Sequence, residues 1–201
     1  IRLGRKIYDN LQKAMSYIMA IHIPIIGLAL LPAFFSQVPI LLMPLHIIFM
    51  ELIVDPICSI AFESEQEEKS IMQRKPRSVN ERFFGMKKVL GSLFNGTLLF
   101  IMVLIVFYLS VTEGHKEEEA RAIAFSALII GNIFLILSQL SKTRSFISTL
   151  TEHNSSLIIL LSVALILLAI INFLPGFTVL FGMMNPGISH YVPALIGGAI
   201  L

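Results

Sequence analysis

Residues 38–62 read VPILLMPLHIIFMELIVDPICSIAF, an apolar run interrupted by two carboxylates, Glu51 and Asp55, and by Pro56. A helix needs about 20 residues to cross a hydrocarbon core about 30 Å thick, and this run exceeds that length. Neither carboxylate is close enough to an end of the run to reach the interface easily. On insertion scales such a charge costs about 2.5–3.5 kcal/mol at the helix centre, so an intramembrane carboxylate marks a functional site by default. The i, i+4 spacing puts both on one helix face. There they repel, each raising the other's affinity for a proton, unless a cation or proton lies between them. Oxygen ligands suit a hard divalent ion such as calcium or magnesium. Pro56 disfavours a helical conformation at Asp55 and removes a backbone donor, so an unwound segment presenting free carbonyls to an ion is expected here.

Further charge-poor runs cover residues 17–35, 89–111, 122–140 and 157–174, with a shorter one at 188–201. They are continuous rather than alternating, which favours helices over barrel strands. The expected fold is all-α, a transmembrane bundle of about six helices, the sixth looking truncated, as in a fragment. Composition agrees: 56% of residues are hydrophobic and 14% charged, against about 25% charged in a soluble domain. A net charge of +2 with no basic-aromatic stripe argues against a nucleic-acid partner. The lipid bilayer is the partner expected. Cys58 is the only cysteine, which excludes an internal disulfide. No secretory signal is visible at the N-terminus, where a basic amphipathic stretch stands instead.

Basic residues set the orientation, since cytoplasmic loops are rich in Lys and Arg. Arg2, Arg5, Lys6, Lys13, Lys69, Arg74, Lys75, Arg77, Arg82, Lys87, Lys88, Lys142 and Arg144 fall on one side, and only Lys116 and Arg121 on the other. The N-terminus, the loop at 63–88 and the loop at 141–155 are therefore expected in the cytoplasm, with turns near 36–39, 112–119 and 175–187 outside. The loop at 63–88 begins with Glu63, Glu65, Glu67 and Glu68. It reads as a solvated connector, with docking of a cytoplasmic domain as the functional alternative.

Three other polar residues lie within the spans. His22, two residues before Pro24, suits an interhelical hydrogen bond, a metal ligand or a proton acceptor beside the carboxylates. Asn132 suits either a bond across helices or an oxygen ligand. Asn95, between Gly91 and Gly96, reads as a packing feature, because small residues let helices approach closely. No His-Glu-x-x-His, Gly-x-Ser-x-Gly or Walker-type phosphate loop is present.

Several motifs resemble the type II P-type cation-transporting ATPases. Residues 4–11, GRKIYDNL, resemble the start of that family's long fifth transmembrane helix; residues 50–56, MELIVDP, its sixth; residues 71–77, IMQRKPR, the loop that follows; and residues 121–125 with the run through Asn132, its eighth. The resemblance implies that residues 1–201 form the C-terminal membrane domain, helices five to ten with the last truncated. It further implies that the helices before them, the phosphorylation domain and the Mg-ATP site belong to a preceding part of the polypeptide. Asp55 matches the aspartate shared by the two calcium sites of the sarcoplasmic-reticulum type of pump, and Glu51 falls on an asparagine ligand. His22 replaces an asparagine, Ile25 a glutamate, Val54 a threonine and Asn132 a glutamate. These changes imply one ion site, completed by carbonyls and a glutamate from outside this chain.

The resulting expectation is the ion-translocating part of an ATP-driven pump, with calcium the favoured cargo. Glu51, Asp55, Asn132 and His22 are its candidate metal ligands. The fragment itself is expected to hold no cofactor and no catalytic residue, and to be inactive alone. Compact loops suit a prokaryotic plasma membrane. The competing expectations are a channel or secondary transporter using the same carboxylates, and a membrane scaffold without transport.

Overall fold

A computed structural model describes residues 1–68, 71–74, 76, 83–140 and 155–200 of the chain. These form helices α1 (Arg2–Phe34), α2 (Pro44–Phe49), α3 (Asp55–Ser64), α4 (Met86–Thr112), α5 (Glu117–Leu140), α6 (Ser155–Phe173), α7 (Pro175–Leu180) and α8 (Val192–Ile200). A π-turn, Met50–Val54, joins α2 to α3, and a 3₁₀ turn, Ile188–Tyr191, precedes α8. No strand occurs among the described residues. Lys69, Lys75, Arg77, Arg82, Lys142 and Arg144, and most of the expected loop at 141–155, lie outside them.

Among the described residues, four stretches are long and apolar enough to cross a membrane: α1, α2 through α3 as one rod (Pro44–Ser64), α4 and α5. The shorter α6 is also apolar. The sixth expected span differs, because its described part is the 3₁₀ turn and nine residues of α8, about 14 Å of helix. The helix α8 packs on α5 and α4. In α5, 78% of the apolar window is buried, against 28% in α4, so α5 is the central helix and α4 keeps a face for lipid. The outer surface carries Ile26, Leu30, Leu52, Phe94, Ile101 and Ile105. Water would not tolerate such a surface, whereas a hydrocarbon solvent does.

The 33-residue helix α1 is about 50 Å long, so it outruns a hydrocarbon core of about 30 Å. Its extra turns carry the polar N-terminal residues, and the segment after α3 docks on them. Asn10 donates to the Glu65 carbonyl at 2.9 Å, Arg5 to the Ile71 carbonyl at 2.7 Å, and Arg74 pairs with Asp9 at 2.6 Å. Lys13 reaches both Glu68, at 3.2 Å, and the Leu140 carbonyl, at 2.6 Å, at the end of α5. Arg2 pairs with Glu67 and, by donating hydrogen bonds to it, holds that carboxyl below its ordinary range. Glu65 and Glu68 are buried. The acidic start of this loop is thus not a solvated connector. The polar groups at the start of α1 draw it in, because a buried carboxylate needs a charged or hydrogen-bonding partner.

The helices α1 and α4 make the most extensive pairing in the bundle. An ideal Cβ built on Gly96 would lie 2.2 Å from the Ala20 carbonyl oxygen, so a hydrogen at that position sets the crossing distance. Of the two small residues flanking Asn95, Gly96 alone makes the close approach; Gly91 meets nothing within 4 Å. Replacing Gly96 by Ala should destabilise the complete detergent-solubilised protein by about 1–3 kcal/mol through overpacking against backbone. Gly91→Ala should stay within about 0.5 kcal/mol of the parent protein. Thermal unfolding midpoints of the two variants, followed by size-exclusion fluorescence, check the contrast.

Candidate functional site

The second membrane rod begins at Pro44, whose missing N–H falls where a helix has no partner for it. Buried His46 closes that end by accepting the Met43 N–H on Nδ1 at 2.9 Å. Near its middle the rod widens into the π-turn Met50–Val54, in which the Asp55 N–H donates to the Met50 carbonyl. Asp55 itself has helical backbone angles, φ −65° and ψ −43°. The expected unwinding at Asp55 is therefore replaced by one wide turn. This accommodates Pro56, which has no N–H to offer the carbonyl four or five residues before it. The carbonyl that this N–H would have met, that of Leu52 or of Glu51, loses its ladder partner.

This turn and α1 bring three ionisable groups together. His22, Glu51 and Asp55 each offer one ligand atom, all within 4.8 Å of one another. His22 Nε2 lies 3.4 Å from Glu51 Oε1. The other ring nitrogen, Nδ1, is 2.7 Å from the Ile18 carbonyl. A carbonyl only accepts, so Nδ1 carries the hydrogen, and the Nε2 of a neutral ring turns its lone pair toward the carboxylates. Tyr17 donates to Asp55 Oδ1 at 3.4 Å from five residues earlier on α1. Tyr17 is fully buried, packed on Phe62, whereas the side chains of His22 and Glu51 are 37% and 39% exposed. One side of the cluster is thus closed by the bundle, and the other opens outward.

Of the four expected ligands, the fold joins His22, Glu51 and Asp55. Asn132 on α5 is buried, and neither polar atom of its amide has a partner of normal hydrogen-bond geometry. It stands beside Tyr17, whose hydroxyl meets Asp55. Ile25 and Val54, where the resemblance implied lost ligands, lie in the apolar core. Sequence reasoning overlooked Tyr17, whose signal was a phenol at the very start of an apolar run, positioned one helical turn and a residue before His22.

Residues 39–201 match the family described as "Cation transporting ATPase, C-terminus". Among curated proteins, the chain is 27% identical over 179 residues to "Calcium-transporting ATPase" of Bacillus subtilis, covering 87% of this chain and 20% of that one. It is 28% identical over 152 residues to "Calcium-transporting ATPase 1" of Lactococcus lactis, covering 73% and 16%, and 26% identical over 197 residues to "Calcium-transporting ATPase 1" of Bacillus cereus, covering 90% and 22%. The aligned part is thus about a fifth of the length of these relatives. Nitrogen NMR on the complete protein labelled at histidine should show the neutral His22 ring as the Nδ1–H tautomer. An Nε2–H ring would remove the lone pair assigned to the cluster.

Proposed function

The chain belongs to the cation-transporting ATPase C-terminus family, and from that membership we propose that it is the ion-translocating membrane part of an ATP-driven cation pump. In this reading residues 1–201 are helices five to ten of the pump. Earlier helices and a phosphorylation domain of the same polypeptide supply the Mg-ATP chemistry. The observation that carries it is the convergence of His22, Glu51 and Asp55 at one point between two membrane helices. Two carboxylates left half-open at that depth would be costly against lipid. A cation, and further helices covering the open side, relieve that cost together.

Glu51 and Asp55 are the charged oxygen ligands. The carbonyl that Pro56 leaves without a donor at the π-turn is available as a neutral one, and Tyr17 orients the Asp55 carboxyl. Asn132 supports this orientation through Tyr17 rather than ligating. Calcium is the first cargo, on the strength of the hard ligands and of the relatives named for it. His22 favours a second reading, since an imidazole nitrogen among carboxylates suits manganese better than calcium. Alternatively, His22 takes the proton that replaces the departing ion. The basic side of the bundle faces the cytoplasm of a plasma membrane. The docked segment through Arg74 carries motion between the phosphorylation domain and α1.

Ion-dependent phosphorylation of the complete protein, screened across calcium, manganese and magnesium, tests the site. Asp55→Asn should abolish it, since a charged ligand goes without change of shape. Glu51→Gln should weaken ion affinity less. Tyr17→Phe should cost about fivefold or less, the scale of one hydrogen bond of about 1 kcal/mol. Unchanged ion affinity in folded Asp55→Asn and Glu51→Gln would sink the site. Phosphorylation-independent cation flux through the complete protein would favour a channel or secondary transporter instead. Separately, Arg74→Ala should slow turnover several-fold while leaving ion affinity near its parent value; a selective loss of affinity would place the segment in the ion's entry path.

A further inference from the structure

At the end of the bundle opposite the docked segment, a second cluster forms from two turns far apart in sequence. The turn between α4 and α5 supplies Glu113 and His115, and the 3₁₀ turn before α8 supplies His190. Their ligand atoms all lie within 4.8 Å of one another. His115 Nε2 is 3.1 Å from His190 Nδ1 and 3.7 Å from Glu113 Oε2. Both turns are held. Gly114 and Gly187 take positive φ, 89° and 99°. The Gly187 N–H donates to the Asn185 side chain at 2.8 Å, and Tyr191, next to His190, donates to Asn172 of α6 at 3.0 Å.

We propose that Glu113, His115 and His190 form a binding site for zinc or a similar borderline divalent ion, clasping the α4–α5 turn to the turn before α8. Two imidazoles and one carboxylate are a typical zinc donor set, which leaves a fourth position for water. Zn–N bonds of about 2.0–2.1 Å in tetrahedral geometry separate two nitrogens by about 3.3 Å, close to the 3.1 Å found between the rings. Glu119 supplies the outer support. Its Oε2 lies 3.2 Å from His115 Nδ1 and also takes the Lys116 N–H at 3.2 Å. A carboxylate only accepts when ionised, so His115 Nδ1 carries the hydrogen and Nε2 is free to ligate. This carboxylate–histidine pairing is the usual one behind a metal-bound imidazole. His190 donates its Nδ1–H to His115 without metal; binding requires that this hydrogen move to Nε2 and that both rings turn so that their lone pairs meet at the ion. The residues are separate from Glu51 and Asp55, and the site stands whether or not the chain pumps ions.

The test is a titration of the complete protein, purified without a histidine tag, with Zn²⁺ by equilibrium dialysis and with Co²⁺ by its visible absorption. One ion per polypeptide with the intense spectrum of tetrahedral cobalt is expected, and Asp55→Asn should leave it unchanged. His115→Ala and His190→Ala should each weaken affinity at least tenfold, with His190→Gln as the variant that keeps a hydrogen-bonding side chain. Glu119→Gln should weaken it by about ten- to a hundredfold and leave the stoichiometry intact. Absence of zinc binding, binding of parental strength in His115→Ala or His190→Ala, or loss of the ion in Asp55→Asn would each overturn the proposal.

Discussion

Backbone carbonyls in hydrocarbon must find donors within the protein, and the two prolines nearest the polar cluster, Pro24 and Pro56, each withhold one. Pro24 has no N–H for the Ala20 carbonyl, and it is against this carbonyl that Gly96 brings α4. Pro56 has none for Leu52 or Glu51, and there the second rod widens into a π-turn. His22 stands two residues before the first proline and Asp55 one residue before the second. The polar cluster therefore sits where both ladders are interrupted. Its closed side is walled by Tyr17, Phe62 and the core packed around α5.

The N-terminal turns of α1 solve a different electrostatic problem. Lys13 is buried where α5 ends, and cations are favoured at the negative end of a helix dipole. Glu68 neutralises it in the same pocket. Removing Glu68 would strip the buried Lys13 of this counter-charge, a loss of about 3–5 kcal/mol. Three further contacts, from Arg5, Asp9 and Asn10, tie the following backbone to the same helix face. The junction between the second rod and α1 is accordingly specified by side chains far from the lipid-facing surface.

Much of this was legible in the sequence, because hydrocarbon length and charge exclusion act on composition directly. The runs at 17–35, 38–62, 89–111 and 122–140 correspond to the four membrane rods, and Glu51 with Asp55 announced the cluster. What stayed hidden depended on contacts between segments. Nothing local separates Gly91 from Gly96; only the partner helix does. Glu65 and Glu68 look solvated until the start of α1 lies against them. Pro56 signals an interruption, but the sequence cannot distinguish unwinding from a widened turn, since both remove the same hydrogen bonds. His115 and His190 lie 75 residues apart, and neither draws notice alone.

The placement of Pro24 gives α1 an unequal balance. From Arg2 to His22 the helix contains no proline, a stiff segment about 30 Å long, and the weakened link lies immediately beyond the histidine. If the helix pivots at that link by about 5°, its N-terminal end sweeps about 3 Å, while the backbone at His22, about 3 Å along the axis from the pivot, shifts by only about 0.3 Å. The helix is then a reducing gear. Coarse displacement at the end that holds the docked segment becomes fine adjustment at the carboxylates, on the scale that separates one ionic radius from another.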